Sequence, residues 1–385
     1  MMQLSARTTP AGVTYDIHPD VWRVCGTGEK PSGLPQAYLA EDGEPVPAGY
    51  RLYLTRRAEI QPPGPAIALP QALSHLAPGD IIAVSSDGRR VTVAWKNSAT
   101  HNSLLLTEQC DNYCLMCSQP PREADDSWLF GRAERIVSLL PPAARSVGLT
   151  GGEPTLHPEE LLGLLGHCRQ IRPEVQLHLL SNGRKFADIG FASRYAQIGH
   201  HDIMVGIPLY APEAGRHDFI VQAHGAFEET VHGILNLASL GQRVEIRVVI
   251  QRHTVPVLEA LAGFIARNLP FVDQVALMGL EMTGLARPNA AEVWIDPADY
   301  QDELIAATRL LTDARVTVKI YNHQLCVLDQ RLWPFAVRSI SDWKTNYLDV
   351  CDACAVRSAC GGVFATSGRR LSAHLHPLEV VPDPV

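Results

Sequence analysis

The chain has 385 residues, 46% hydrophobic and 19% charged, enough apolar material for one large core with smaller appended domains. A formal net charge of -8 and a pI near 6.0 exclude a globally basic surface of the kind that holds nucleic acid or an anionic membrane by bulk electrostatics. Nine cysteines are too few for a disulfide scaffold at this length, so their positions carry the information.

The opening stretch MMQLSARTTPAGVTYDIHPD has no charged start followed by an apolar core and a small-residue cleavage site, and no apolar run is long enough to span a bilayer. The expectation is a soluble, cytoplasmic protein with neither membrane nor nucleic acid as a partner. Residues 1–98 are rich in Pro and Gly, with the β-like pieces YRLYL, DIIAVSS and RRVTVAW between turn signals, which predicts a small β-rich domain. From about residue 102, short apolar strands alternate with amphipathic helical patterns such as AFEETVHGILNLASLG. The predicted strands are SLLLT, SVGLT, VQLHLLS, DIMVGIPLY, VEIRVVI and QVALMGL. Six such units imply an α/β fold, an open partial barrel of parallel strands over residues 99–322. In parallel sheets ligands bind beyond the carboxyl ends of the strands, so the residues that follow each strand are the ones to inspect. Residues 323–385 form a cysteine-rich extension.

Cys110, Cys114 and Cys117 form C-x3-C-x2-C directly after SLLLT. Three thiolates at this spacing suit three corners of an iron–sulfur cubane and leave the fourth iron without a protein ligand. A zinc knot is the competing reading, though it would need a fourth ligand from elsewhere. The next strand, SVGLT, runs into Gly151, Gly152, Glu153 and Pro154, where two glycines permit close backbone approach and a carboxylate can receive an ammonium group. Cys25 and Cys168 stand alone, and Cys168 on EELLGLLGHCRQ reads as a buried thiol.

CDNYCLMC followed one βα unit later by GGEP resembles the radical S-adenosylmethionine (SAM) superfamily over roughly residues 102–322. The resemblance implies a partial (β/α)6 barrel, a 4Fe–4S cluster on Cys110, Cys114 and Cys117, and SAM as co-substrate. It also implies that Met116 packs near the adenine, that Gly151, Gly152 and Glu153 meet the SAM amino group, and that Ser181 and Asn182 at the end of LLSNG face SAM or substrate. An Asn-Gly turn is the plain alternative at that last position. At the fourth strand end the chain departs from peptide-modifying relatives, carrying Pro208 where those often have Ser. Arg247 in VEIRVVI is then the candidate partner for the SAM carboxylate, against a structural Arg at a strand edge. His101, His157, His217 and His253 all fall near strand ends, where each reads as a solvated surface histidine; no general acid or base is assigned.

Cys326, Cys351, Cys354 and Cys360, followed by Gly361 and Gly362, suit a closed zinc site or a fully ligated cluster. CxxCxxxxxCGG after such a barrel resembles the twitch/SPASM-type extension, which implies a second, auxiliary 4Fe–4S cluster. Within the superfamily the segments NSLLLTEQCDNYCLMCSQPPR, GLTGGEPTLH, IPLYAPEAGRHDFIVQAHGAFEETVHGILNL and SISDWKTNYLDVCDACAVRSACGGVF resemble the His-Xaa-Ser system radical SAM maturases of the HxsC type. That resemblance implies a gene-encoded peptide or small protein as substrate, a partner radical SAM maturase, and a reductant such as flavodoxin or ferredoxin. The β-rich start is expected to capture the peptide or dock the partner. Two other classes remain open at this point, a radical SAM enzyme acting on a small molecule or RNA and a zinc-stapled, non-catalytic binding protein.

Overall fold

The computed structural model describes residues 4–11, 20–41, 43–57, 59–341, 344–368 and 370–379. Much of the opening stretch, and Asp342 and Trp343 within SISDWKTN, therefore lie outside the described residues.

The first eight strands are short: β1 Ser5–Arg7, β2 Thr9–Ala11, β3 Val21–Cys25, β4 Gln36–Ala40, β5 Leu52–Thr55, β6 Ala66–Ala68, β7 Ile81–Val84 and β8 Arg90–Trp95. They lie in the order β1-β8-β7-β3-β4-β5-β6-β2. Only Thr8 separates β1 from β2, and these pair with β8 and β6 at opposite ends of that order, so the sheet closes on itself and its edges are consumed. Val24, Leu39, Leu54, Ile67 and Leu73 fill one face. Tyr38, Tyr50 and Tyr53 pack together on the other, over Cys25. Inside this barrel's wall the Lys96 ammonium meets the fully buried Asp80 at 2.7 Å, so the charge taken out of water is paired.

The second sheet is parallel throughout: β9 Ser103–Leu105, β10 Ser146–Thr150, β11 Gln176–Leu180, β12 Ile203–Pro208, β13 Arg243–Ile250, β14 Gln274–Gly279, β15 Thr317–Tyr321 and β16 Ala336–Val337. Six of these occupy the predicted strands. β15 and β16 extend the same sheet by two, and β16 lies beyond residue 322, so the sheet does not end where the sequence pattern suggested. Strand periodicity could not find a two-residue strand, which exists only because β15 offers it a paired edge. Crossovers are α1 Trp128–Leu139, α2 Pro158–Ile171, α3 Ile189–Gln197, α4 Ala214–Val221, α5 Ala226–Ser239, α6 Leu258–Asn268, the short α7 Ala290–Val293, and α8 Gln301–Asp313.

Helix α2 shows how sequence dictates the wrap. Pro158 opens it, Glu159 and Glu160 favour its positive end, Arg169 favours its negative end, and Leu161, Leu164, Leu165 and Cys168 recur at helical spacing on the buried side. These side chains meet Val147, Leu149, Leu177, Leu179 and their neighbours from one face of the sheet in a single large core. The opposite, concave face alternates with it and is half-open, as the partly exposed Gly148, His178, Arg247 and Lys319 show. The closed β-barrel seats on this domain through Val21, Ile81 and Trp95, which join the same core, and through Asp20, whose carboxylate meets Arg132 and Arg135 of α1 at 2.8 Å each.

Candidate active site

Beyond β9 the chain turns into a loop carrying Cys110, Cys114 and Cys117, all part-buried, and neighbouring elements grip it from several sides. At its base the buried Asp126 accepts from the Thr107 hydroxyl at 2.8 Å and from the Glu108 amide. The turn after β10 holds the next stretch: the Gly152 amide donates to Thr107 O at 2.8 Å and the Glu153 amide to Gln109 O at 2.7 Å. A Cβ on Gly152 would stand 2.0 Å from Gln109 O, and one on Gly151 2.4 Å from Thr107 O, so the two glycines are needed to bring this turn against the cysteine loop. From α4, Val221 O and Ile220 O accept from the Tyr113 and Leu115 amides. After β14, the Leu285 amide donates to Cys117 O at 2.8 Å and Asn289 Nδ2 to Leu115 O at 2.9 Å. Gly284, at φ +53°, leaves only 2.3 Å between its would-be Cβ and Cys117 O.

The turn after β11 completes the clamp. Glu153 is fully buried, and its oxygens accept from the Thr155 amide and hydroxyl, the Ser181 hydroxyl at 2.9 Å and the Asn182 amide at 2.5 Å. Burial pushes this carboxyl's pKa up, and these donors work against that. Asn182 Nδ2 reaches across to Asp111 Oδ1 at 2.5 Å. Arg184 joins Glu229 at 2.6 Å, Asp111 at 3.1 Å and Asn112 Oδ1 at 3.0 Å. Ser181 and Asn182 are thus buried beside the cysteine loop, and the Glu153 carboxylate is engaged by four protein donors.

Met116 is buried with Tyr210, Met282 and Val293 between the ends of β12 and β14. On the concave face the Arg247 guanidinium is paired with Glu245, whose carboxylate also accepts from Gln274 and lies 3.4 Å from His178 Nε2. Burial raises the Glu245 pKa, but His178 and Arg247 outweigh it and hold the group at about 2. Arg247 therefore stands on the sheet face and not at a frayed edge, with a carboxylate already beside it.

Residues 104–261 match the radical SAM superfamily. The match begins on β9, ends in α6, and includes all three loop cysteines, the Gly-Gly-Glu turn, Ser181, Asn182 and Arg247, while the four C-terminal cysteines lie outside it. No curated protein matches the chain. Among solved structures the chain is similar to Streptococcus suis SuiB bound to S-adenosylmethionine, at 15% identity and a TM-score of 0.44 over 62% of this chain and 50% of that one. It is similar to native anSMEcpe with bound AdoMet and Cp18Cys peptide, at 15% identity and a TM-score of 0.44 over 57% and 62%. A radical SAM methyltransferase from Sphaerobacter thermophilus gives 15% identity and a TM-score of 0.45 over 65% and 75%. All three are distant, partial likenesses, and the chain spans half the length of SuiB.

The three thiols within the matched segment suit a cluster. Among the described residues no three ligating side chains converge to hold a single metal ion. A cubane does not ask for that convergence, because each thiolate serves its own iron. Burial pushes Cys110 up to about 12 and raises Cys114 and Cys117 as well, a cost that a bound metal would offset by taking the thiolate charge.

In the extension, β17 Thr345–Asn346 pairs with β18 Val363–Phe364, and Glu281 after β14 ties the hairpin down through Lys344 at 3.0 Å and Thr366 at 2.8 Å. Cys326, Cys351, Cys354 and Cys360 are part-buried here, and the Gly362 amide donates to Cys360 Sγ at 3.5 Å. Cys168 is buried in the main core, as its helix pattern predicts.

Of the four histidines near strand ends, His217 corrects the expectation of a solvated ring. It is buried, its Nδ1 accepts from the Tyr210 amide at 3.3 Å, and burial lowers its pKa to about 4. His253 faces Glu292 at 3.4 Å, His157 packs against Phe130, and His101 is exposed. Sequence reasoning passed over Asp111, Arg184, Asp126, Tyr210 and Glu245. Two had a visible signal: an acidic residue between cluster cysteines, and Glu-x-Arg inside an otherwise apolar strand.

Proposed function

We propose that this chain is a radical SAM enzyme that modifies a ribosomally made peptide or small protein, of the His-Xaa-Ser repeat type, by hydrogen abstraction. The observation that carries the reading is the C-x3-C-x2-C loop at the carboxyl edge of the first strand of a parallel half-barrel, pinned by the Gly-Gly-Glu turn of the next strand within a radical SAM match. Cys110, Cys114 and Cys117 would hold a 4Fe–4S cluster. When bound there and reduced, the cluster supplies one electron to SAM, whose C5′–S bond breaks to give methionine and a 5′-deoxyadenosyl radical.

The chain's own residues arrange the site. The Thr107–Asp126, Asp111–Asn182–Arg184 and Cys117–Leu285 contacts fix the cysteine loop before any ligand arrives, which lowers the ordering cost of binding. Gly151, Gly152, Glu153, Ser181, Asn182 and Met116 are the residues that would stand nearest SAM, with Arg247 as the cation for its carboxylate. The peptide substrate is supported by the resemblance of the loop and tail segments to peptide maturases, and the C-terminal cysteines would hold an auxiliary cluster. A reductant of the flavodoxin or ferredoxin class would supply the electron, and a second maturase is a candidate partner.

Iron, sulfide and zinc content of anaerobically reconstituted protein, followed by a dithionite-driven assay for 5′-deoxyadenosine, tests the reading. About eight irons per chain, two 4Fe–4S clusters, with deoxyadenosine formed is the expected result. Replacing Cys110, Cys114 and Cys117 together by Ala should remove SAM cleavage and about half of the iron. Stoichiometric zinc without SAM cleavage would overturn the proposal, and turnover of a small molecule but no peptide would overturn its substrate class.

A further inference from the structure

The end of the chain returns to the C-terminal cysteines in a way the motif does not require. Cys326, Cys351, Cys354 and Cys360 lie upstream, and CxxCxxxxxCGG is complete by Gly362. Even so, residues 372–378 fold back over them. The Ala373 amide anchors the segment on Asp296 Oδ2 at 3.0 Å, and the Ala355 amide donates to Leu378 O at 2.8 Å. Between these anchors, Ala373, His374, Leu375 and His376 form one wall of an open cavity of about 450 Å³, with Cys326 and Gln301 across from them. The Leu378 amide points at sulfur, donating to Cys354 Sγ at 3.4 Å, while the Leu378 side chain packs on the main core. His376 and Cys326 line the same cavity.

Backbone N–H groups aimed at cysteine sulfur are the means by which a protein sets the potential of an iron–sulfur centre. They stabilise the more negative, reduced state, and they shield the thiolates from water. We propose that residues 372–378 are an amide strap over the second metal centre, with the Leu378 N–H group donating to Cys354 and raising the reduction potential of the cluster that the C-terminal cysteines hold. The inference rests on the reading of that site as an iron–sulfur centre. It adds a part outside the cysteine motif: the strap keeps the centre reducible.

The test uses the full chain with Cys110, Cys114 and Cys117 replaced by Ala, so that only the C-terminal centre remains. Leu378→Pro removes the N–H together with the side chain, whereas Leu378→Ala removes the side chain and keeps the N–H. Midpoint potentials come from titration followed by electron paramagnetic resonance. The strap predicts that Leu378→Pro lowers the potential by about 59 mV, a tenfold change in a one-electron equilibrium, or releases the iron, while Leu378→Ala does neither. Equal behaviour of the two variants overturns it. Where Leu378→Pro does not fold, ¹⁵N-leucine labelling of the parent and of Leu378→Ala reads the same contact: a nitrogen coupling to the reduced centre that the Ala variant loses supports the strap, and its absence from the parent refutes it. A parent that binds zinc or no metal would instead sink the iron–sulfur reading of the site, which is a separate failure.

Discussion

His217 and His323 show how burial decides what a titratable residue can do. His323 Nδ1 lies 2.8 Å from Tyr321 O and must donate to that carbonyl, so Nε2 accepts from the Tyr300 hydroxyl at 2.9 Å and the ring is neutral. His217 is likewise neutral, accepting from Tyr210 N–H. Burial holds both pKa values at about 4, below the ordinary 6.5. In the unfolded chain these rings take up protons from about pH 6.5 downward, while the folded protein resists until about pH 4. Their contribution is therefore complete above pH 6.5 and drains away as pH falls from 6.5 to 4. At about 1.4 kcal/mol per pKa unit, each ring accounts for roughly 3 kcal/mol across that window. Thermal melts should fall steeply between pH 6.5 and 4, and His217→Gln with His323→Gln, which keep an amide donor and acceptor without the titration, should flatten the slope. An unchanged slope would count against the assignment.

At the scale of the strand, β13 carries a charged pair within an apolar sequence. Ile246 and Val248 enter the core, while Glu245 and Arg247 take the concave face, where Glu245 is buried with Gln274 and His178 at its sides. The pair orients the Arg247 guanidinium, which has N–H donors left for a second carboxylate. Replacing Arg247 by Leu should weaken SAM binding by about tenfold or more, the loss of a charge-assisted hydrogen bond worth roughly 1.5–3 kcal/mol. Equilibrium binding to the reconstituted protein checks it. Unaltered affinity with a lowered melting temperature would leave Arg247 as a strut for Glu245 alone.

For the whole molecule, the amino-terminal β-barrel is a packing partner of the half-barrel as much as a separate unit. Val21, Ile81 and Trp95 contribute to the same core as Leu104, Ile136 and Leu149, and Asp20 bridges to α1. Deleting residues 1–98 should uncover this apolar surface and give a chain that aggregates or melts at lower temperature than the full protein. Static light scattering and a melting curve would show it, and a soluble truncation with the full-length melting temperature would refute it. A capture role for the domain needs to be tested with point changes on its outer surface, because deletion confounds docking with folding.

Periodicity and motif spacing carry much of the core of this molecule. The alternation of SVGLT, VQLHLLS and VEIRVVI with helical segments such as α2 is a local property, set by 2.0- and 3.6-residue repeats, and it located six strands and the cysteine loop between the first two. Sequence could not tell that Gly151 and Gly152 make room for the backbone of Thr107 and Gln109, because that requires two strand ends to meet in space. It could not see the Asp111–Asn182–Arg184–Glu229 chain, whose members are up to 118 residues apart (229 − 111), or the return of Leu378 to Cys354. The sequence by itself determined the parallel α/β order and the candidate ligands, since backbone periodicity and thiol spacing are written locally. Only the tertiary structure decided which polar groups are consumed inside the protein and which remain to meet a ligand, because burial and hydrogen-bond partners depend on the whole fold.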